Sequence, residues 1–378
     1  IFAILALPLA AGVLGLLLLR QPRAAAALGL LASGVQLALA LALLMAVDRE
    51  GYVVVQSGDW RAPFGISLVA DRLAASMVAI SALIGLAVVV FGLANRERDL
   101  PLPVFLPLSF LMLLGVNGSF LTGDLFNLYV WFEVMLIASF VLMTLGGSKP
   151  QLDGGMKYVL INLFSSAVFL IGVGMLYGKL GTLNMADIAA KLAAADDPLL
   201  FNTTSVLLLV AFSIKAGLFP FFFWLPASYH TPAFVVSGLF AALLTKVGVY
   251  AMIRAQLLVF ELNFASMQVL LAVIAAATML TGVLGAASHF NTRRILSFHI
   301  ISQIGYMIMG LAIATPLAVA GAIFYILHHI LVKTNLFLIA GLIHRISGHE
   351  DLGRLGGLAK AKPWLAVLFL SPARSLAG

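Results

Sequence analysis

The sequence predicts an all-α polytopic membrane protein, and three observations carry that prediction. Of its 378 residues 62% are hydrophobic and only 10% charged, where an ordinary soluble domain carries about 25% charged residues. Apolar stretches of about 20 residues, long enough to cross a hydrocarbon core of about 30 Å, recur from one end to the other, and roughly a dozen such spans fit. None of them alternates in the manner of a barrel strand, and a lipid-facing backbone is otherwise satisfied only as a helix.

Taken in order, the spans are expected at 1–19, 24–46, 68–94, 102–121, 125–145, 155–178, 204–226, 233–259, 266–288, 295–314, 317–345 and 364–378. The first lacks an initiator Met, a basic leader and an A-x-A-like cleavage site, so it reads as a span and not as a signal peptide. Two connections are long enough for structure of their own. The stretch YVVVQSGDWRAPFGISLVAD (52–71) pairs a β-branched run with turn residues and predicts a short hairpin. In GTLNMADIAAKLAAADDP (181–198), Leu183, Ile188 and Leu192 recur at near-helical spacing and predict an amphipathic helix lying on the surface.

Cysteine is absent, which excludes disulfides, Cys-attached haem and thiolate-bound iron–sulfur clusters. The net charge of +7 comes from scattered residues and not from a basic stripe, so nucleic acid is not an expected partner. In alternate connections, one face receives twelve basic residues (Arg20, Arg23, Arg96, Arg98, Lys149, Lys157, Arg293, Arg294, Arg345, Arg354, Lys360, Lys362) and the other six (Arg49, Arg61, Arg72, Lys179, Lys191, Arg254). The positive-inside bias makes the richer face cytoplasmic and places the N-terminus outside.

Four basic residues are left over: Lys215, Lys246, Lys333 and Arg374. Among the acids, Asp124 stands at a helix start, where a carboxylate caps free N–H groups, and only Glu133, in FNLYVWFEVML, lies deep in a span. At about 1.5 Å per residue Glu133 is roughly 12 Å into its helix, and the three lysines fall at similar depth. Such groups cost about 2.5 to 3.5 kcal/mol each on insertion scales and usually face a bundle interior or a wet cavity. A set of structural ion pairs is one explanation; a relay for protons or ions is the other, because burial and a neighbouring carboxylate push a lysine's protonation in opposite directions.

Three local patterns favour the relay. In AFSIKAGLFPFFFWLP, Pro220 removes the donor for the Ala216 carbonyl, so the helix is expected to break beside Lys215. In FYILHHILVKTNLF, His329 and Lys333 share a helix face, with His328 and Thr334 as polar neighbours, and histidine titrates near neutrality. His299, with Ser297, Ser302 and Gln303 nearby, marks a polar helix that continues the path. Gly172, Gly174 and Gly178 are read as packing residues, since no strand precedes them. No metal-ligand cluster and no nucleophile-and-base arrangement is found, so neither a metal nor a cofactor is expected, and a transporter subunit is expected in place of an enzyme.

FNLYVWFEVMLIASF, MKYVLINLFSSAVFLIGVGMLYG, FPFFFWLPASYHTPAFVVSGLFAALLTKVGVY and HHILVKTNLF, in that order, resemble the antiporter-like proton-translocating subunits shared by Mrp cation/proton antiporters and respiratory complex I, with the D subunits of Mrp-type Na⁺/H⁺ antiporters as the nearest likeness. The resemblance runs over essentially the whole chain. It implies inverted five-helix repeats, each with one helix broken in mid-membrane: N-terminal helices in 1–100, a first repeat in 101–260 and an incomplete second in 261–378. It pairs Glu133 with Lys215, makes Lys246 the next lysine, and puts His328, His329 and Lys333 on the eleventh helix. Thr231-Pro232-Ala233 stands where the family usually has Thr-Pro-Pro. The chain stops at SLAG, short of a last broken helix and its lysine, and carries Arg374 in an otherwise apolar stretch, which reads as a fragment truncated at both ends.

The resemblance implies a bacterial plasma-membrane subunit that couples proton entry to Na⁺ export beside other Mrp proteins. The alternatives are a pumping subunit of a complex I-like or hydrogenase-linked redox enzyme, which uses the same relay, and a structural membrane scaffold with inert ion pairs.

Overall fold

The computed structural model describes residues 1–95, 97, 100–194, 197–260 and 265–377. Arg96 and Arg98, counted above on the richer face, lie outside the described residues. Helices account for nearly all of the chain. They are α1 (Phe2–Leu17), α2 (Pro22–Glu50), α3 (Arg72–Ala94), α4 (Leu102–Leu121), α5 (Leu125–Thr144), α6 (Lys149–Leu180), α7 (Met185–Ala194), α8 (Pro198–Ala216), α9 (Trp224–Ser228), α10 (Phe234–Arg254), α11 (Ala265–Ala287), α12 (Thr292–Ile313), α13 (Pro316–Ser347), α14 (Leu358–Ala361) and α15 (Pro363–Ala377). Among the described residues ten helical segments are long and apolar enough to cross a membrane, with α1 a shorter apolar helix, against the dozen or so expected.

The expected hairpin is present: β1 (Val53–Gln56) pairs antiparallel with β2 (Ser67–Ala70), so the third span begins at Arg72 and not at 68. Asp71 stops the strand and starts the helix, its side chain accepting from the Ala74 N–H at 2.9 Å. The expected surface helix is α7, with Met185, Ile188 and Leu192 buried; Leu183 precedes it. Backbone bonds from Gly123 to Ser67, from Leu125 to Leu183 and from Met185 to Gly123 knit hairpin, turn and α7 into one cap over this face. On the opposite face, where α3 and α13 end and α10 and α12 begin, Thr292 and Leu352 bond back to Glu350 and Phe290.

Helix α10 is the axis of the bundle. Every residue of its best apolar window is buried, and α8, α13, α3, α4 and α12 pack around it. Where small residues permit, the helices come very close. A Cβ added to Gly248 would lie 2.7 Å from the Ala216 nitrogen, so this glycine lets α10 seat against the end of α8.

Candidate functional site

The chain breaks where expected, although the first stop signal is Gly217 and not Pro220. Gly217 adopts φ 77°, a left-handed conformation suited to glycine, and ends α8 two residues after Lys215. Backbone freed inside a membrane must find partners, and it does. Gly217 and Leu218 donate to the Ser213 carbonyl at 3.0 Å. The Trp224 indole donates to the Ile214 carbonyl at 3.0 Å, and Phe219 N–H donates to the Thr278 hydroxyl of α11 at 3.0 Å. Pro220 then leads into a single tight turn, Phe221–Phe223, and α9.

Glu133 and Lys215 do not touch directly. The hydroxyl of Ser166 on α6 stands between them: it donates to Glu133 Oε1 at 2.5 Å and accepts from Lys215 Nζ at 3.2 Å. The lysine is buried and its ammonium lies 5.0 Å from the centre of the Phe132 ring. Ser165, one residue earlier, donates to the Ala211 carbonyl at 2.7 Å and fixes α6 against α8. Ser166 was invisible in the sequence, where it is one serine among many. Its address on a helix facing Lys215 emerges only from packing.

The second cluster is built differently. Lys246 and Lys333 are both fully buried. Lys246 Nζ donates to the Ala241 carbonyl at 2.5 Å, which turns its head back toward the start of α10. Lys333 Nζ lies 2.8 Å from His299 Nδ1, so a helix other than its own supplies its partner. His329, on the same face as Lys333, is fully buried, and neither ring nitrogen has a partner among the described residues. Thr245, next to Lys246, likewise keeps an unpaired buried hydroxyl. His328 is turned away from this cluster. It is part-exposed and bonds Ser375 of α15 at 2.6 Å, so the expected grouping of His328 with His329 and Lys333 is replaced by His299, His329 and Lys333. Arg374 lies in the last turn of α15.

Both ends of α10 carry charge that the sequence had left in connections. At its C-terminal end Arg254 grips Asp71 with two bonds of 2.6 and 2.5 Å, and its Nε donates to Tyr250. The Tyr250 hydroxyl in turn donates to the Phe120 carbonyl at 2.6 Å, tying α3, α4 and α10 together. Burial alone would raise the Asp71 carboxyl, but the Arg254 guanidinium together with the backbone N–H bonds it accepts holds the group below its ordinary range. At the N-terminal end a cavity of about 660 Å³ is lined by Asn95, Glu97, Thr231, Arg293, His344 and Glu350, among others. Glu97 accepts from the Phe234 and Val235 N–H groups at 2.8 and 3.2 Å and so caps α10. Burial keeps its carboxyl above the usual carboxylate range despite those bonds and the nearby Arg293. Arg293 holds Glu350 with bonds of 3.0 and 2.5 Å and reaches the Pro232 carbonyl at 2.6 Å.

A helical bundle with a broken helix, a carboxylate and three buried lysines belongs to the class of polytopic membrane subunits found in ion-translocating complexes. Residues 122–378 match the family described as NADH:quinone oxidoreductase/Mrp antiporter, TM, and the chain belongs to it. It is 50% identical over 342 residues to the D subunit of the Na(+)/H(+) antiporter of Alkalihalophilus pseudofirmus, covering 90% of this chain and 69% of that one. With the corresponding D subunit of Bacillus subtilis the identity is 42% over 359 residues, covering 94% and 71%. The fold superposes on a chain in the structure of the Mrp complex from Dietzia sp. DQ12-45-1b with TM-score 0.93 and 36% identity, over 100% of this chain and 70% of that one. A chain of the membrane-bound sulfane sulfur reductase, an archaeal respiratory membrane complex, also gives 0.93, at 27% identity, covering 98% and 76%.

Proposed function

We propose that this protein is the proton-translocating membrane subunit of a multisubunit Na⁺/H⁺ antiporter of the bacterial plasma membrane, working beside other Mrp-type subunits with its N-terminus outside. Protons pass along Glu133, Lys215, Lys246 and the cluster of Lys333, His299 and His329, with no enzyme chemistry and no cofactor. Glu133 sets the protonation of Lys215, and the broken helix next to Lys215 supplies the movable backbone.

One observation carries this reading: Ser166 bridges the deep carboxylate to a buried lysine at the end of a broken helix. A hydroxyl can both donate and accept, so it links the two charges without binding them into a direct ion pair and lets a small movement change how strongly each feels the other. The unpaired buried groups of His329 and Thr245 point the same way. The names of the two bacterial relatives, both Na(+)/H(+) antiporter subunits, support Na⁺ as the exported ion.

The likeness to the sulfane sulfur reductase chain favours a second reading, in which the same relay is driven by electron transfer in a respiratory complex. Glu133→Ala in the complete complex, assayed in inverted vesicles, is expected to abolish antiport while the complex still assembles. Unchanged antiport sinks the relay, and proton movement that requires an electron donor in place of a Na⁺ gradient selects the second reading.

A further inference from the structure

On the face that carries Lys149, Lys157 and Arg294, a second cavity of about 360 Å³ opens beside the broken helix. Its walls come from three places: Asp153 and Lys157 on α6, Phe223, Pro226 and His230 around α9, and His289, Arg294 and Phe298 at the start of α12. Lys157 is engaged by Asp153 at 2.7 Å. Arg294 is exposed and makes no ion pair among the described residues. The His230 ring is anchored through Nδ1 to the Pro226 carbonyl at 2.7 Å, and the His289 ring lies 5.2 Å from that of Phe298.

Each cation stands at the head of an apolar surface. On α6, exposed Leu160 and Phe164 follow Lys157 at three and seven residues, the spacing of a single helix face. Phe298 follows Arg294 at four, and Phe223 of the break, exposed, also lines the cavity. A polar pocket holding a free guanidinium, two imidazoles and a lysine, with apolar stripes running from it toward the bilayer middle, matches the anatomy of an anionic lipid: phosphate on the cations, chains on the stripes.

We propose that this cavity binds one anionic phospholipid, whose phosphate contacts Arg294 and His289 and whose chains cover the exposed side of the broken helix. Bound there, the lipid ties α9 to α6 and α12 and sets how freely the segment after Lys215 can move. The proposal is independent of whether the relay carries protons, because its primary readout is bound lipid and not transport.

The test uses the complete complex, purified in mild detergent and examined by native mass spectrometry after exchange into phosphatidylglycerol or phosphatidylcholine. Wild type should retain one phosphatidylglycerol that inorganic phosphate does not displace. Arg294→Gln should retain it about five-fold less and the Arg294→Gln/His289→Asn pair about ten-fold less, in keeping with the contribution of each interfacial charge; Arg294→Lys should restore most of the loss. Both positions are at least partly exposed, so the variants should fold, which unchanged subunit composition in the same spectra verifies. Equal retention by Arg294→Gln, equal retention of phosphatidylcholine, or displacement by inorganic phosphate each overturns the lipid site, the last by making it a site for free phosphate.

Discussion

The Lys215 region and the Lys333 region solve one problem in two ways. Each buries a lysine inside the bundle, yet among the described residues only the first has a carboxylate, delivered through the Ser166 hydroxyl. The second offers Lys333 an imidazole nitrogen at 2.8 Å and offers Lys246 a backbone carbonyl at 2.5 Å. A carboxylate favours a charged lysine; a neutral acceptor compensates its burial far less. In the proposed relay the two regions therefore differ in the kind of partner each lysine meets. Gly248 joins the two regions, since it brings the helix of Lys246 against the backbone of Lys215.

The asymmetry can be broken from either side. After the loss of antiport expected from Glu133→Ala, the largest effect is expected from His299→Leu, which removes the side-chain partner of Lys333: a drop in antiport on the order of a hundred-fold, the usual scale for losing a positioned proton-transfer group, measured in vesicles with complex assembly checked in parallel. A drop below three-fold would dissolve the second region as described. Gly248→Ala attacks the junction. Its added methyl must push α10 off α8, and overpacking of this kind costs about 1 to 3 kcal/mol, read as a lower melting temperature with a transport loss at Lys215 and Lys246 together; a neutral result would show that the contact is not needed.

Ser166→Ala tests the bridge alone. It leaves Glu133 and Lys215 in place without their link, and about a ten-fold loss is expected from one charge-assisted hydrogen bond. Combining it with Glu133→Ala should add nothing further, because both act on the same lysine; additive losses would mean that serine and acid work separately. The smallest effect concerns stability. Asp71 is held below its ordinary range, so its contribution is present above the usual carboxylate pKa of about 3.9 and fades as the pH falls through its lower folded value. Asp71→Asn should therefore lower the melting temperature at neutral pH, and the gap to wild type should close on strong acidification.

Much of this arrangement was legible in one dimension. A charge surrounded by apolar neighbours announces its depth, and Glu133, Lys215, Lys246 and Lys333 were each found by that signal. The hairpin and α7 followed from period and turn chemistry. The partners were not legible. Ser166 looks like any helix serine, and Lys333 pairs with His299 34 residues away and not with the histidine on its own face. Asp71 and Arg254 are 183 residues apart, and Arg254 looked like a loop residue counted for topology. His328 shares its neighbourhood in sequence with His329 but points elsewhere, because adjacent residues on a helix face about 100° apart.

The sequence by itself determined the class, the number of spans to within a few, the break beside Lys215 and which ionisable residues lie deep. These depend on chain-local quantities: the cost of burying a charge, the length of an apolar run, the donor that proline lacks. Only the tertiary structure decided that a serine bridges the acid to its lysine, that histidine from a second helix serves Lys333, and that each end of α10 sits beside an ion pair and a cavity. Those outcomes depend on how each helix is rotated and seated against its neighbours, a balance of many small contacts between distant segments that no single stretch of chain contains.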